Sequence, residues 1–374
     1  MPGGPDGKAR EHIPALDGLR GVAILLVIPH NADVFSNSAP WLWPMALLAH
    51  AGWIGVQLFF VLSGFLITRN LLASRGDSHY LRSFYARRAL RIFPLYFLTL
   101  FVGLVLLPQL LTYSRGALVS HQHQVWLWTF TSNWTQPFGA DVSGFSHFWS
   151  LAVEEQFYLV WPFVVLLVAG KRLLWTCGAL VLIALLFRAF MQKSGAAPDM
   201  IYMFTVCRMD ALAMGAAMAV VSLSAPAMQW ITGHSRTVLA VAFGVLLAVA
   251  VYSHSYSAFD PHTLVLGQTL LAAAFALLVV SAGSIPPGTF GHAFRRLLEM
   301  GWLRRVGRYS FAMYVFHLPL TNAFGTPIHE ALAFAGSATP LLYALSFILL
   351  SFLAGMASYH LLEKHFLALK RLVP

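Results

Sequence analysis

Charge is what this sequence has least of. Asp, Glu, Lys and Arg make up 10% of its 374 residues, against about 25% in an average soluble domain. That excludes an ordinary water-soluble globule. Acidic residues are the scarcer sign, 14 against 24 Lys and Arg, for a net charge of +10. Only two cysteines occur, Cys177 and Cys207, both inside apolar runs. This excludes a disulfide framework and points to buried small-residue packing. The first 20 residues are polar and mixed in charge, so no cleavable signal peptide is expected. No internal repeat, low-complexity tract or appended soluble domain is visible, and a single integral membrane domain over 1–374 is expected. The arginines punctuate apolar segments instead of forming a basic domain, so nucleic acid is not an expected partner.

What is present is apolar sequence, 58% of the chain. Runs at 92–112, 157–170 (continuing to 190 after a Lys-Arg break), 237–253, 263–283, 310–326 and 340–362 are long enough to cross about 30 Å of hydrocarbon. The pattern predicts an all-α polytopic membrane helix bundle with about ten transmembrane helices. They fall near 15–33, 50–72, 92–111, 147–169, 173–191, 201–222, 237–254, 263–283, 309–328 and 340–361. Ten spans put both termini on one side, where the loops carry Lys8, Arg10, Arg75, Arg82, Arg87, Arg88 and Arg91. Lys171, Arg172, Arg236, Arg295, Arg296, Arg304, Arg305, Arg308, Lys364, Lys370 and Arg371 follow on that side. The other side holds Arg115 and Lys193. The positive-inside rule then places both termini in the cytoplasm of a cell (inner) membrane protein. The longest loop, about 112–146, faces outside. Its Trp126, Trp128 and Trp134 are read either as interfacial anchors or as stacking surfaces for a sugar ring.

Polar residues inside apolar spans are costly and mark candidate sites. In HFWSLAVEEQFYLVWP (147–162), His147, Ser150 and Glu154 recur at i, i+3 and i+7, one helical face. In the first span Asp17 and Arg20 can pair at i, i+3, and His30 follows Pro29 near the far end. An imidazole titrates near neutrality and can take a proton from a hydroxyl, although a histidine at a helix end also serves structure. Gly55, Ser63 and Gly64 of the second span suit close helix approach. FYARRALRIFPLY (84–96) sets Arg87 and Arg91 on one face beside Arg88, with Pro94 bending the way into the third span. That is either a positive-inside anchor or a phosphate clamp, since Arg binds phosphate in a bidentate manner. In CRMDALAMG (207–215), Arg208 and Asp210 stand two apart and do not face each other, so each is expected to pair with another helix or with substrate. Ser310, Tyr314 and His317 form another stripe in GRYSFAMYVFHLPL, and Tyr359 and Glu363 lie four apart in SYHLLEKHF.

Seven of these segments, in order, resemble the successive motifs of the acyltransferase 3 family of membrane acyltransferases: LDGLRG with its following histidine, GVQLFFVLSGFLIT, FYARRALRIFPLY, HFWSLAVEEQFYLVWP, RMDALAMG, GRYSFAMYVFHLPL and SYHLLEKHF. The match spans about residues 12–368. The resemblance implies a ten-helix bundle that transfers an acyl group from cytosolic acyl-CoA to a hydroxyl. Acceptors would be carbohydrates or glycosylated small molecules, reached in the company of membrane lipid. It carries the family's first-helix Arg and His onto Arg20 and His30, its basic motif onto Arg87, Arg88 and Arg91, and its Ser and Glu onto Ser150 and Glu154, beside Glu155.

Three departures are visible. The family has ten residues between that Arg and His, whereas nine separate Arg20 from His30. Eleven steps of roughly 100° return to the same helix face, and ten fall about 80° short. Pro29 either restores the direction of His30 by distorting the turn, or His147 is the better base. The last motif reads Glu-Lys-His, with His365 in place of proline. Some relatives carry a C-terminal hydrolase-like domain, while this chain continues about a dozen residues past its last predicted helix.

The expected activity is O-acyl transfer from acetyl-CoA or another short acyl-CoA, with no metal. Arg87, Arg88 and Arg91 would hold the CoA phosphates. His30 would be the base, with Glu154 orienting an imidazole or the acceptor, and Arg20 or Ser150 stabilising the thioester oxygen. Arg208, Asp210, Tyr314 and His317 are expected to bind substrate. A covalent acyl-histidine relay stays open. The other class is a transporter or flippase for a lipid-linked or glycosylated substrate, against which the lack of inverted repeats counts. A purely structural or sensory subunit fits five polar helices poorly.

Overall fold

A computed structural model describes residues 12–32, 35, 39–110, 121–252, 257–285 and 291–373. Lys8, Arg10 and Arg115 of the charge pattern lie outside these residues, as does part of the long loop expected at about 112–146. The described residues are helical, with no strand among them. The long helices are α1 (Pro14–Ala32), α2 (Ile54–Ala73), α3 (Tyr80–Phe101), α4 (Trp149–Leu167) and α5 (Lys171–Lys193). They continue with α6 (Thr205–Val221), α7 (Ser235–Tyr252), α8 (Gln268–Ser284), α9 (Gly301–Ala331) and α10 (Thr339–Ser358). The chain is thus an all-α multi-pass membrane protein.

Eight helical segments among the described residues, those containing α2–α8 and α10, are long and apolar enough to cross a membrane. The remaining two, α1 and α9, miss that measure for a legible reason. Asp17, Arg20, His30 and Asn31 dilute α1, and Arg304, Arg305, Arg308, Ser310 and His317 dilute α9. The helices that fall short by composition carry polar residues of the candidate site.

One boundary differs from expectation. The third span was placed from 92, but α3 starts at Tyr80 and has Pro94 inside it. Arg82, Arg87, Arg88 and Arg91 therefore sit on the helix rather than on a loop leading to it. Past Phe101 the turn widens to a π-helical stretch at Val102–Leu106.

The described residues form two compact units, each discontinuous in sequence. The first comprises Met1–Ala23, Ile54–Tyr80 and Gln156–Arg308; the second comprises Ile24–Trp53, Leu81–Glu155 and Tyr309–Pro374. In the first, α6 packs against α2, α5 and α8, and α7 packs on α8. Without a hydrophobic drive in lipid, such contacts rest on close fit. Gly64 of α2 abuts the Leu212 carbonyl, and Gly215 of α6 abuts the Val61 carbonyl, so a Cβ at either position would overlap backbone. Gly64→Ala is expected to destabilise the detergent-solubilised protein by about 1–3 kcal/mol in thermal unfolding. Gly178→Ala, whose new Cβ meets nothing within 4 Å, is the control and should leave the melting temperature level or raise it. Both cysteines are free and buried, as the sequence suggests.

In the second unit an aromatic cluster joins α3 to the segment 126–148. Tyr96 stacks on Phe130 at 4.2 Å and tilts against Phe148 at 4.8 Å, and its hydroxyl donates to the Leu127 carbonyl at 2.7 Å. Trp128 stacks on Phe97 and Trp126 on Phe138. These two tryptophans spend a ring face on the protein itself, while Trp134 is 40% exposed.

Candidate active site

The second unit gathers three histidines. His30 ends α1 beside Asn31, His317 lies on α9, and His147 precedes α4. The α4 helix begins only at Trp149, because residues 143–148 form a tighter 3-10 stretch with Phe145 at φ −131° and ψ 25°. The stripe expected on one continuous helix is therefore divided. Ser150 and His147 turn to α9, whereas Glu154 turns to α3.

The α9 side is a connected hydrogen-bond network. Ser150 Oγ and Tyr314 Oη lie 2.5 Å apart, and Tyr314 Oη donates to the His147 carbonyl at 2.8 Å. His147 Nε2 donates to the Val315 carbonyl at 3.2 Å, and His317 Nδ1 donates to the Tyr314 carbonyl at 2.6 Å. Carbonyls accept only, so each bond fixes a tautomer. The lone pair of His317 then sits on Nε2, where Asn31 Nδ2 donates at 3.0 Å. The rings of His147 and His317 are 4.7 Å apart, and both side chains are buried.

The first-helix histidine is held in the same way. The α1 helix continues to Ala32 with Pro29 inside it. His30 Nδ1 donates to the Ala49 carbonyl at 3.0 Å, which leaves the lone pair of its neutral form on Nε2. Gly52 keeps this approach close, since a Cβ there would meet the Leu26 carbonyl and the Cβ of His30. A carbonyl that fixes one ring nitrogen and prepares the other as acceptor is how an imidazole is set up for proton transfer. Asn31 is the residue eleven steps after Arg20, the position the family gives to its histidine, and it touches His317 instead. Sequence reasoning missed Asn31, although the spacing argument was the signal for it.

On the α3 side, Arg88 lies 3.7 Å from Glu154 and 3.8 Å from Glu155, all three largely shielded. These are ion-pair distances, longer than hydrogen bonds. Arg87 donates from Nε to the Ser83 carbonyl at 3.2 Å. Lys370, in the last turn of the chain, lies within electrostatic reach of Arg87, Arg88 and Arg91. It adds a fourth cation to the basic motif, and nothing in local sequence pointed to it. Glu363 interacts with Arg91 and accepts from Ser358 at 2.9 Å. Tyr359 packs its ring on Tyr309 at 5.4 Å.

Arg20 belongs to the first unit, as do Arg208 and Asp210, both fully buried. Asp210 pairs with Arg188 of α5 at 2.8 Å and accepts from Thr269 at 2.8 Å. Arg188 also donates to the Cys207 and Val265 carbonyls and to Thr269. Arg208 donates to Gln268 and, at 2.6 Å, to Gln57, and its guanidinium covers the Phe60 and Tyr202 rings. Each charge is thus engaged across helices, as their spacing of two requires. Among the described residues no group of three or more His, Cys, Asp or Glu is arranged to hold a metal ion.

The second unit thus brings converging histidines and a shielded Arg–Glu cluster together as a candidate site for polar chemistry. The sequence profile of the acyltransferase 3 family, an acyltransferase domain, matches residues 13–360, and the chain belongs to that family. It is 31% identical over 382 residues to YrhL of Bacillus subtilis, covering 96% of this chain and 55% of that protein. It is 29% identical over 337 residues to the peptidoglycan O-acetyltransferase OatA of Listeria monocytogenes, covering 86% and 51%. It is 25% identical over 324 residues to the O-acetyltransferase OatA of Staphylococcus aureus, covering 83% and 50%. The chain therefore spans about half the length of these curated relatives. No solved structure matches it significantly.

Proposed function

We propose that this chain is a membrane O-acyltransferase moving an acetyl group from acetyl-CoA, or another short acyl-CoA, to a hydroxyl of a carbohydrate or glycosylated acceptor. The observation that carries the reading is His30, oriented by the Ala49 carbonyl in a chain of this family. Two relatives named for O-acetyl transfer, one of them to peptidoglycan, support a glycan hydroxyl as acceptor. The charge pattern supports a cell-membrane protein with cytoplasmic termini, and hence a cytosolic donor.

In this reading Arg87, Arg88, Arg91 and Lys370 hold the phosphates of the donor, a task suited to clustered cations. His30 Nε2 removes the acceptor's proton as the hydroxyl oxygen attacks the thioester carbonyl. The C–S bond breaks, CoA leaves as thiolate, and the imidazolium returns the proton to sulfur. Ser150 and Tyr314, joined by their hydroxyls, and His317 line the acceptor side.

The test is thermal stabilisation of purified protein by acetyl-CoA, succinyl-CoA and free CoA. A ligand at 100 times its Kd stabilises the native state by about 2.7 kcal/mol. The shift is expected with the wild type and is expected to vanish in Arg87→Gln/Arg91→Gln, which leaves the Arg88–Glu154 pair intact. No shift at millimolar CoA would remove the donor assignment. A transporter would release no CoA at all.

A further inference from the structure

The donors that the hydrogen bonds link into the network around His147 are committed to one another or to carbonyls. Ser150 and Tyr314 spend their protons on one another and on the His147 carbonyl. His317 Nδ1 serves Tyr314, Asn31 serves Val27 and His317, and Thr321 serves the His317 carbonyl. His147 itself donates from Nε2 to Val315, so in its neutral form Nδ1 carries a lone pair. That Nδ1 is buried, on a side chain 4% exposed, and has no hydrogen-bond partner among the described residues. Buried polar atoms are nearly always paired, and an orphan in a polar cluster calls for an explanation. The described residues offer this acceptor no proton, so one supplied from outside completes the inventory. A neutral O–H fits: it donates one proton and brings no charge into an apolar setting.

We infer that His147 Nδ1 is a binding point for a hydroxyl group of the acceptor, distinct from the proton-abstracting His30. This rests on the acyltransferase reading and adds to it a specificity element for polyhydroxylated acceptors. A site that hydrogen-bonds a substrate hydroxyl discriminates strongly against molecules lacking it.

Two isosteric substitutions separate the ring nitrogens. In His147→Asn the amide oxygen takes the place of Nδ1 and still accepts, while the bond to Val315 is lost. In His147→Gln the amide nitrogen takes the place of Nε2 and still donates to Val315, while the Nδ1 acceptor is lost. Each variant is assayed for CoA release from acetyl-CoA with soluble peptidoglycan fragments as acceptor, alongside thermal stabilisation by acetyl-CoA. The expected result is an acceptor KM raised about tenfold in His147→Gln and little changed in His147→Asn, with donor-induced stabilisation equal to wild type in both. The reverse order would assign the imidazole to its bond with Val315 and overturn the inference. Equal loss in both variants, or in neither, would overturn it as well. Failure of the underlying reading looks different: the wild type itself would release no CoA.

Discussion

His30→Ala is expected to lower acyl transfer by about 10²–10⁴-fold, the range that general-base catalysis contributes. The protein should stay folded and keep its stabilisation by acetyl-CoA. The Nδ1 of His30 is tied to the Ala49 carbonyl, a modest, half-buried hydrogen bond whose loss costs about 1 kcal/mol. Little of the hydrophobic core is touched, because the buried Val27 and Ile28 of the same helix are unchanged. Loss of turnover with an unchanged melting profile therefore separates chemistry from folding. Retained turnover would move the base to another imidazole. The exchanged pair His30→Asn/Asn31→His supplies a second check. It puts the imidazole at the eleventh position after Arg20 but removes both the Ala49 bond and the amide that serves His317. Its activity is expected to stay near the His30→Ala level, and recovery would show that helix register alone decides.

The helical architecture was legible in the residues because lipid leaves the backbone few options. Runs of apolar residues fixed where most long helices fall, and the small-residue reading of Gly64 became a backbone contact with Leu212. Boundaries were less legible where a helix leaves its apolar stretch. Arg82 to Arg91 read as loop by hydropathy, yet α3 runs through them from Tyr80, since Arg and Leu are both good helix formers. The candidate site was half visible. Stripes at i, i+3 and i+7 or at i, i+4 and i+7 named His147, Ser150, Tyr314 and His317 on their own segments, and spacing cannot say which stripes meet. The pairing of Ser150 with Tyr314 and the turn of Glu154 toward Arg88 are tertiary facts. Asn31 was signalled only by its eleven-step spacing from Arg20, and Lys370, counted among the cytoplasmic cations, gained its place beside the basic motif from residues distant in sequence.

The largest effect on stability is expected from the buried pair in the first unit. Arg188→Met strips Asp210 of its ionic partner where both side chains are essentially unexposed. What stays with the carboxylate is the Thr269 hydroxyl and the Ala211 backbone N–H. Breaking one side of a buried pair costs about 3–5 kcal/mol, because the remaining charge is uncompensated. A marked fall in the melting temperature of the detergent-solubilised protein is therefore expected. The double variant Arg188→Met/Asp210→Leu removes the stranded charge and should recover much of that loss. Recovery stays incomplete, since the Cys207 and Val265 carbonyls also lose their donor. This pair of measurements bears on function as well as folding. If Asp210 and its neighbour Arg208 bound substrate directly, the single variant would raise KM with the melting temperature little changed. The network across α5, α6 and α8 argues for the first outcome. Asp210 spends both oxygens on protein partners, and Arg208 is met by Gln57, Gln268 and two aromatic faces. Such a motif locks helices whose small residues let them approach. On that outcome, activity in the double variant should return in step with the melting temperature.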